Sequence, residues 1–236
     1  NTSGNTAVGT ALSNGKTDSL TDIENVTGTV RADDITGDDK NNTIISGDDN
    51  DVIRGLEGTD YIDGGVGDDD TVDYSKGTQG LIIDLSATQT FGDDTTYSVQ
   101  DDGFGNKEFT ANIENVIGTS SVDIIIGNDK DNKLEAGANA DTLYGGKGAD
   151  TLYGGAGTDI LNGGADTDIV NYADATGAVT VDLGDTAAQA IGGGEGTDTI
   201  TNIENIIGSA YNDTFKVNYN ANGTLDGGVT DNIGGD

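Results

Sequence analysis

The sequence predicts an all-β protein made of short stacked repeats, and three observations carry that expectation. An Asp or Asn recurs at every ninth residue, an aliphatic residue follows two positions later, and glycines crowd the stretches between. The first run is Asp33, Asn42, Asp51, Asp60 and Asp69, with Ile35, Ile44, Ile53 and Ile62 after the first four. The second is Asp123, Asn132, Asp141, Asp150, Asp159 and Asp168, followed by Ile125, Leu134, Leu143, Leu152, Leu161 and Val170. A fixed short period marks a repeat architecture, in which each unit buries its apolar residue by stacking on its neighbours.

Composition alone points the other way. Of 236 residues, 33% are hydrophobic and 5% aromatic, and 43 acidic residues against 10 basic ones leave a formal charge of −33. Low hydrophobicity with high net charge is the signature of a disordered chain, unless something other than apolar burial stabilises the fold. The register supplies that alternative, because it gives the acids fixed places. So negative a chain is repelled by nucleic-acid phosphates and by anionic membrane surfaces. The partner left for its carboxylates is a hard cation, and calcium takes six to eight oxygen ligands from carboxylates and carbonyls. With no Cys and no His, thiol chemistry, a Ser-His-Asp triad and ordinary zinc sites are excluded. No apolar run approaches the roughly 20 residues that span a bilayer. The opening residues carry no signal-peptide pattern.

Each unit divides into a six-residue loop and a three-residue strand, whose single apolar residue is expected to point inward. Units 145–153 (GGKGADTLY) and 154–162 (GGAGTDILN) are the cleanest. Loop glycines let carbonyls turn towards a cation, and the sixth residue supplies a carboxylate. Where the fourth position lacks glycine it is Asp49, Asn139 or Asp166 in three loops, and Asp and Asn best tolerate left-handed backbone. Lys40 and Lys130 suit that position less well, and their loops end in the neutral Asn42 and Asn132, which makes them the weakest ion sites. One extra Asp in the stretch 64–73 leaves Asp69 and Asp70 as alternative ligands.

These two runs resemble the RTX (repeats-in-toxin) calcium-binding nonapeptide family, motif G-G-x-G-x-D-x-U-x, over roughly residues 28–72 and 118–172. The resemblance implies a parallel β-roll with two nonapeptides per turn, short strands stacked in two sheets, and calcium held between neighbouring loops on each edge. The candidate carboxylate ligands are Asp33, Asp51, Asp60, Asp69, Asp123, Asp141, Asp150, Asp159, Asp168 and Asp213. The candidate loop glycines are Gly55, Gly58, Gly64, Gly65, Gly67, Gly145, Gly146, Gly148, Gly154, Gly155, Gly157, Gly163 and Gly164. Ions on the order of seven to ten would then offset a large part of the negative charge.

A longer period of ninety residues lies above the nonapeptides. Ile23-Glu24-Asn25-Val26 recurs as Ile113-Glu114-Asn115-Val116 and as Ile203-Glu204-Asn205-Ile206, and each element opens a roll. Between the rolls, residues 80–85 (GLIIDL) and 178–183 (AVTVDL) read as strands. Acidic or glycine-rich loops accompany them, at Asp93-Asp94, Asp101-Asp102 and Gly192-Gly193-Gly194. The expected organisation is the end of an insertion (1–27), a calcium roll (28–74), an insertion (75–117), a second roll (118–172), a second insertion (173–207) and the start of a third roll (208–236). Residues 17–26 match 197–206, and residues 227–236 read as further nonapeptide. The expectation is a segment of a longer array. Glu24, Glu114 and Glu204 are either ligands or caps for backbone amides, with capping favoured. Asp84 and Asp182 are expected to face solvent or a neighbouring loop.

Function follows from the repetition. The expected role is a calcium-dependent extracellular structural module (surface layer, filament or adhesin stalk) that folds on calcium after export, with no catalysis. Copies of itself are its expected partners. The resemblance implies type I secretion from a bacterium. The alternatives are the secretion tail of a larger toxin or hydrolase, and a carbohydrate- or surface-binding module using Tyr97, Phe104 and Phe109. The third loop position carries no threonine rank, which speaks against an ice-binding face.

Overall fold

The computed structural model describes residues 6–7, 24–87 and 98–216. Every regular element among them is a strand, so no helix is long and apolar enough to cross a membrane. The chain forms two compact units, Asn1–Thr119 and Ser120–Asp236.

Each unit is a parallel β-roll. In the first, Asn25–Thr29, Thr43–Asp48, Tyr61–Val66 and Phe109–Ala111 form one sheet. Asp34–Thr36, Val52–Arg54, Thr71–Asp73 and Asn115–Ile117 form the other. Consecutive units alternate between the sheets, so Ile35 pairs with Ile53 and Ile44 with Ile62, two nonapeptides on. The extra Asp is absorbed at the last step, where Val52 pairs with Thr71. The second unit repeats the plan. Lys133–Ala138, Thr151–Ala156, Ile169–Asn171 and Asn205–Ile207 face Ile124–Ile126, Thr142–Gly146, Ile160–Gly164 and Thr197–Thr201.

Three-residue strands suffice because only their middle residue faces inward. Val52–Arg54 and Thr71–Asp73 bury their centres and leave their flanks half-buried. The resulting core is a column of Ile44, Ile53, Ile62 and Val72 in one unit and Leu134, Leu143, Leu152, Leu161 and Val170 in the other, all fully buried. Each such residue contributes roughly 1.5–3 kcal/mol. On the outer face Arg54 joins Asp34 and Asp73 from the turns on either side.

The insertions do more than separate rolls. In the first, Leu81–Asp84 pairs antiparallel with Val99–Asp102, burying Leu81, Ile83 and Val99. In the second, Thr180–Asp182 pairs in parallel with Thr214–Lys216. Each insertion then returns to the roll it left. Thr110 pairs with Ile62 and Val116 with Val72, while Ile200 pairs with Leu161 and Ile206 with Val170. The I-E-N-[VI] elements at 113–116 and 203–206, expected to open a roll, therefore lay the closing turn of the roll before them.

Replacing Leu143 or Leu152 by Ala is expected to cost about 2–5 kcal/mol, because each leaves a cavity in a column that cannot collapse. Urea unfolding of the calcium-loaded protein measures it.

Candidate metal centres along the loop edges

The sixth residue of each loop clamps one turn to the next. Its backbone N–H donates to the carboxylate of the register residue one turn on, as in Asp123 to Asp141 Oδ1 (2.8 Å), Asn132 to Asp150 (2.8 Å), Asp141 to Asp159 (2.9 Å) and Asp150 to Asp168 (2.8 Å). Its carbonyl accepts from the residue after that acid: Thr151 N–H reaches Asn132 O at 2.8 Å and Ile169 N–H reaches Asp150 O at 2.8 Å. The first roll does the same from Asp33 to Asp51 (2.7 Å), Asn42 to Asp60 (2.7 Å) and Asp51 to Asp70 (2.9 Å). The acids thus form a ladder along each loop edge.

Only one oxygen of each carboxylate is used in this way. Oδ2 of Asp51, Asp60, Asp70, Asp141, Asp150, Asp159 and Asp168 is buried with no hydrogen-bond partner, and so is that of Asp213. Asp213 spends its Oδ1 on Val179 N–H and the Ser209 hydroxyl. A buried carboxylate oxygen without a donor is costly, so a partner that brings positive charge is called for.

The first loop glycine supplies the room. A Cβ on Gly145 would collide with both Asp150 Oδ2 and the Gly163 carbonyl oxygen, and one on Gly163 would collide with Asp168 Oδ2 and Asn202 O. At Gly154 the Cβ would lie 2.6 Å from Asp159 Oδ2, and at Gly64 it would lie 2.7 Å from Asp70 Oδ2. Carboxylate and carbonyl oxygens thus converge on a space that only glycine leaves open. No group of three acidic side chains converges among the described residues, and the further protein oxygens at these spaces are loop carbonyls. That all-oxygen donor set suits calcium.

The other loop glycines serve the stacking. Gly65, Gly146, Gly155 and Gly164 hold left-handed backbone against the loop one turn earlier. Gly58 and Gly148 do so at the fourth position, where Asp49, Asn139 and Asp166 have φ of 76°, 81° and 82° as expected for these residue types. Gly55 and Gly67 border the Asp60 and Asp70 oxygens, and Gly157 lies against Asn139 O. Lys40 and Lys130 stay out of the left-handed region. Their loops close differently, with Asn42 Oδ1 accepting from Asp38 N–H (2.8 Å) and Asn132 Oδ1 from Asn128 N–H (2.7 Å). A neutral side chain turned onto its own loop leaves no orphaned oxygen.

The register position in the irregular loop belongs to Asp70, not to Asp69. Asp70 is fully buried, whereas Asp69 is exposed and accepts from Asn50 Nδ2 at 3.3 Å. The extra residue bulges outward because the ladder fixes the acid behind it. Asp33 also differs from its neighbours, since its Oδ2 accepts from Thr29 N–H (2.6 Å) and the Thr29 hydroxyl (2.9 Å). Asp123 is buried at the start of the second roll.

Glu114 and Glu204 act as caps, in a particular sense. Glu114 Oε2 accepts from Asp70 N–H (3.1 Å) and Glu204 Oε2 from Asp168 N–H (3.0 Å), each standing where the next register Asp would be. Asn112 and Asn202, both at φ 51°, turn their carbonyls onto the Gly64 and Gly163 cradles. Asp84 caps Ser86, with its carboxylate 2.9 Å from the backbone N, and Asp182 pairs with Lys216 at 3.3 Å, so both serve local loops. Asp101 and Asp102 cap their own turn, through Gly103 and Phe104 N–H. Residues 17–23, Asp93, Asp94, Tyr97 and 227–236 lie outside the described residues.

Two ladder acids carry no nonapeptide signature. Glu108 stands level with Asp60, and Asp198 with Asp159, through the strand pairings that follow them. Tyr74 donates to Glu108 Oε2 (2.6 Å) and Tyr172 to Asp198 Oδ2 (2.9 Å). Their ninety-residue spacing, shared with the I-E-N elements, was the available signal.

A family model, RTX calcium-binding nonapeptide repeat, matches in four copies over residues 27–70, 117–152 and 137–170. Those stretches carry RTX calcium-binding nonapeptide repeats. The matched RTX stretches are the two runs in which the orphaned oxygens and glycine cradles alternate, so the family's ion fits the donor set found here. No curated protein matches the chain.

Burial drives the chemistry of the metal-free ladder. Desolvation raises Asp141 and Asp150 to about 7 and Asp70, Asp159 and Asp168 to about 6, against the lowering effect of their backbone hydrogen bonds. Neighbouring acids push Asp70, Asp141, Asp150 and Asp168 further up. An unfolded Asp releases its proton near 3.9. Because the folded values are the higher ones, protonation favours the folded chain. That contribution is complete below about pH 4 and is lost as the pH rises through about 6 to 7. Acidifying the calcium-free chain from about pH 7.5 to about pH 4.5 should therefore increase strand content in circular dichroism, while calcium affinity falls over the same interval because protons compete for the same oxygens. In a paired substitution, Asp70→Asn should lower the number of calcium ions bound, whereas Asp69→Asn should leave the calorimetric isotherm unchanged.

Proposed function

We propose that this chain is an extracellular structural module whose folding is switched on by calcium. The observation that supports the reading is the row of buried Asp Oδ2 atoms without partners along the loop edges. In calcium-free water those carboxylates repel one another and cost desolvation, so the extended chain is favoured. Calcium supplies the missing charge, and because the sites exist only in the stacked form, its binding energy becomes folding energy. The ligands are the register aspartates Asp51, Asp60, Asp70, Asp141, Asp150, Asp159, Asp168 and Asp213, together with loop carbonyls around the first glycine of each loop. Extracellular modules bind at about 10⁻⁴–10⁻³ M, a range that keeps the chain extended during export and folds it outside. A type I route suits such a chain, and a surface layer, filament or adhesin stalk suits its ninety-residue period.

Catalysis has no place in this reading, because the buried acids are committed to the ladder. Circular dichroism with and without calcium tests the switch. A large gain of strand signal on adding millimolar calcium at neutral pH is expected, and a chain already folded in EDTA refutes it. Electron microscopy of the calcium-loaded protein separates the array from a secretion tail: ordered sheets or filaments support the first, dispersed monomers the second.

A further inference from the structure

We propose that Glu108 completes a divalent-cation site with Asp60, where the first insertion returns to the first roll. The pairing of Phe109, Thr110 and Ala111 with Tyr61, Ile62 and Asp63 sets Glu108 level with Asp60, and Phe109 N–H donates to Asp60 O at 2.9 Å. Both side chains are fully buried. Asp60 spends Oδ1 on Asn42 N–H, and Glu108 spends Oε2 on the Tyr74 hydroxyl. Asp60 Oδ2 and Glu108 Oε1 are left buried beside each other with no hydrogen-bond donor.

These two free oxygens border one space. A Cβ on Gly55 would collide with Asp60 Oδ2 and would lie 2.9 Å from Glu108 Oε1. Two carboxylates sharing a buried pocket cannot both stay ionised unless a cation lies between them. Only oxygens are offered, so the ion is a hard one of calcium type. Tyr74 holds Glu108 in place by its other oxygen, which aims Oε1 at the cradle. The nonapeptide pattern does not encode this ligand, because Glu108 belongs to the insertion. The corresponding acid of the second unit, Asp198, has both oxygens occupied, by Asp159 N–H (3.1 Å) and by Tyr172. Among the described residues, Gly55 is the cradle to which two orphaned carboxylate oxygens are brought.

The inference rests on the reading that the cradles take calcium, and the test separates the two. The full chain and Glu108→Gln are titrated with calcium, and bound ions are counted after equilibrium dialysis. Glu108→Gln keeps an acceptor for Tyr74 but removes the charge, and one ion fewer per chain is expected. An unchanged count overturns the site and assigns the pocket to a shared proton. No calcium binding by the unaltered chain overturns the underlying reading instead. If Glu108→Gln does not fold, terbium luminescence decides. Tyr74→Phe should lose more tyrosine-sensitised emission per bound terbium than Tyr144→Phe, whose tyrosine is exposed. Equal losses from the two variants overturn the site.

Discussion

A carboxylate with one oxygen tied to the neighbouring turn and the other tied to nothing is the constraint from which this structure follows. The tied oxygen accepts a backbone N–H from the turn before, as Asp150 does from Asn132 and Asp168 from Asp150. That bond sets the eighteen-residue register more tightly than three-residue strands could. The untied oxygen makes the same residue a liability, since a buried, unpaired carboxylate costs several kcal/mol. Stability therefore depends on what is added to the chain as much as on what the chain buries. The apolar column of Ile, Leu and Val is real but thin, with one inward side chain per unit, and it lies between two edges of buried negative charge.

The insertions obey the same constraint. A roll that simply ended would leave the N–H of its last register acid without a carboxylate, and both rolls solve this with a glutamate brought back by the insertion. Glu114 and Glu204 take the place of an aspartate on one edge, while Glu108 and Asp198 close the other edge under Tyr74 and Tyr172. An asparagine in left-handed conformation, Asn112 or Asn202, supplies the carbonyl that the missing loop would have offered. The ninety-residue period thus spans a roll together with the insertion that returns to it. It explains why the I-E-N-[VI] elements at 113–116 and 203–206 pair with the roll before them.

Much of this was legible in the residues. The nine-residue spacing identified the inward aliphatics one by one, and the preference of Asp and Asn for left-handed backbone located Asp49, Asn139 and Asp166 correctly. Periodicity could not decide between Asp69 and Asp70, because an inserted residue shifts the count without saying which side it falls on. Burial and the bond from Asp51 N–H decide it. Spacing also could not reveal Glu108, Asp198 or the tyrosines that hold them. These residues reach the ladder after long excursions, of forty-eight residues from Ile62 to Thr110 and thirty-nine from Leu161 to Ile200. Nor could it show that Asp33 spends its Oδ2 on Thr29, or that Asn42 and Asn132 turn onto their own loops.

The central claim is that cations neutralise the untied oxygens of the register acids, and not the exposed acids that outnumber them. A crystal structure of the calcium-loaded chain, with anomalous differences recorded at long wavelength, tests it most directly. Anomalous peaks should lie within about 2.3–2.6 Å of Oδ2 of Asp51, Asp70, Asp141, Asp150, Asp159 and Asp168 and of the facing loop carbonyls. Peaks confined to exposed acids such as Asp69, or a folded chain with no peaks beside these oxygens, would contradict the account.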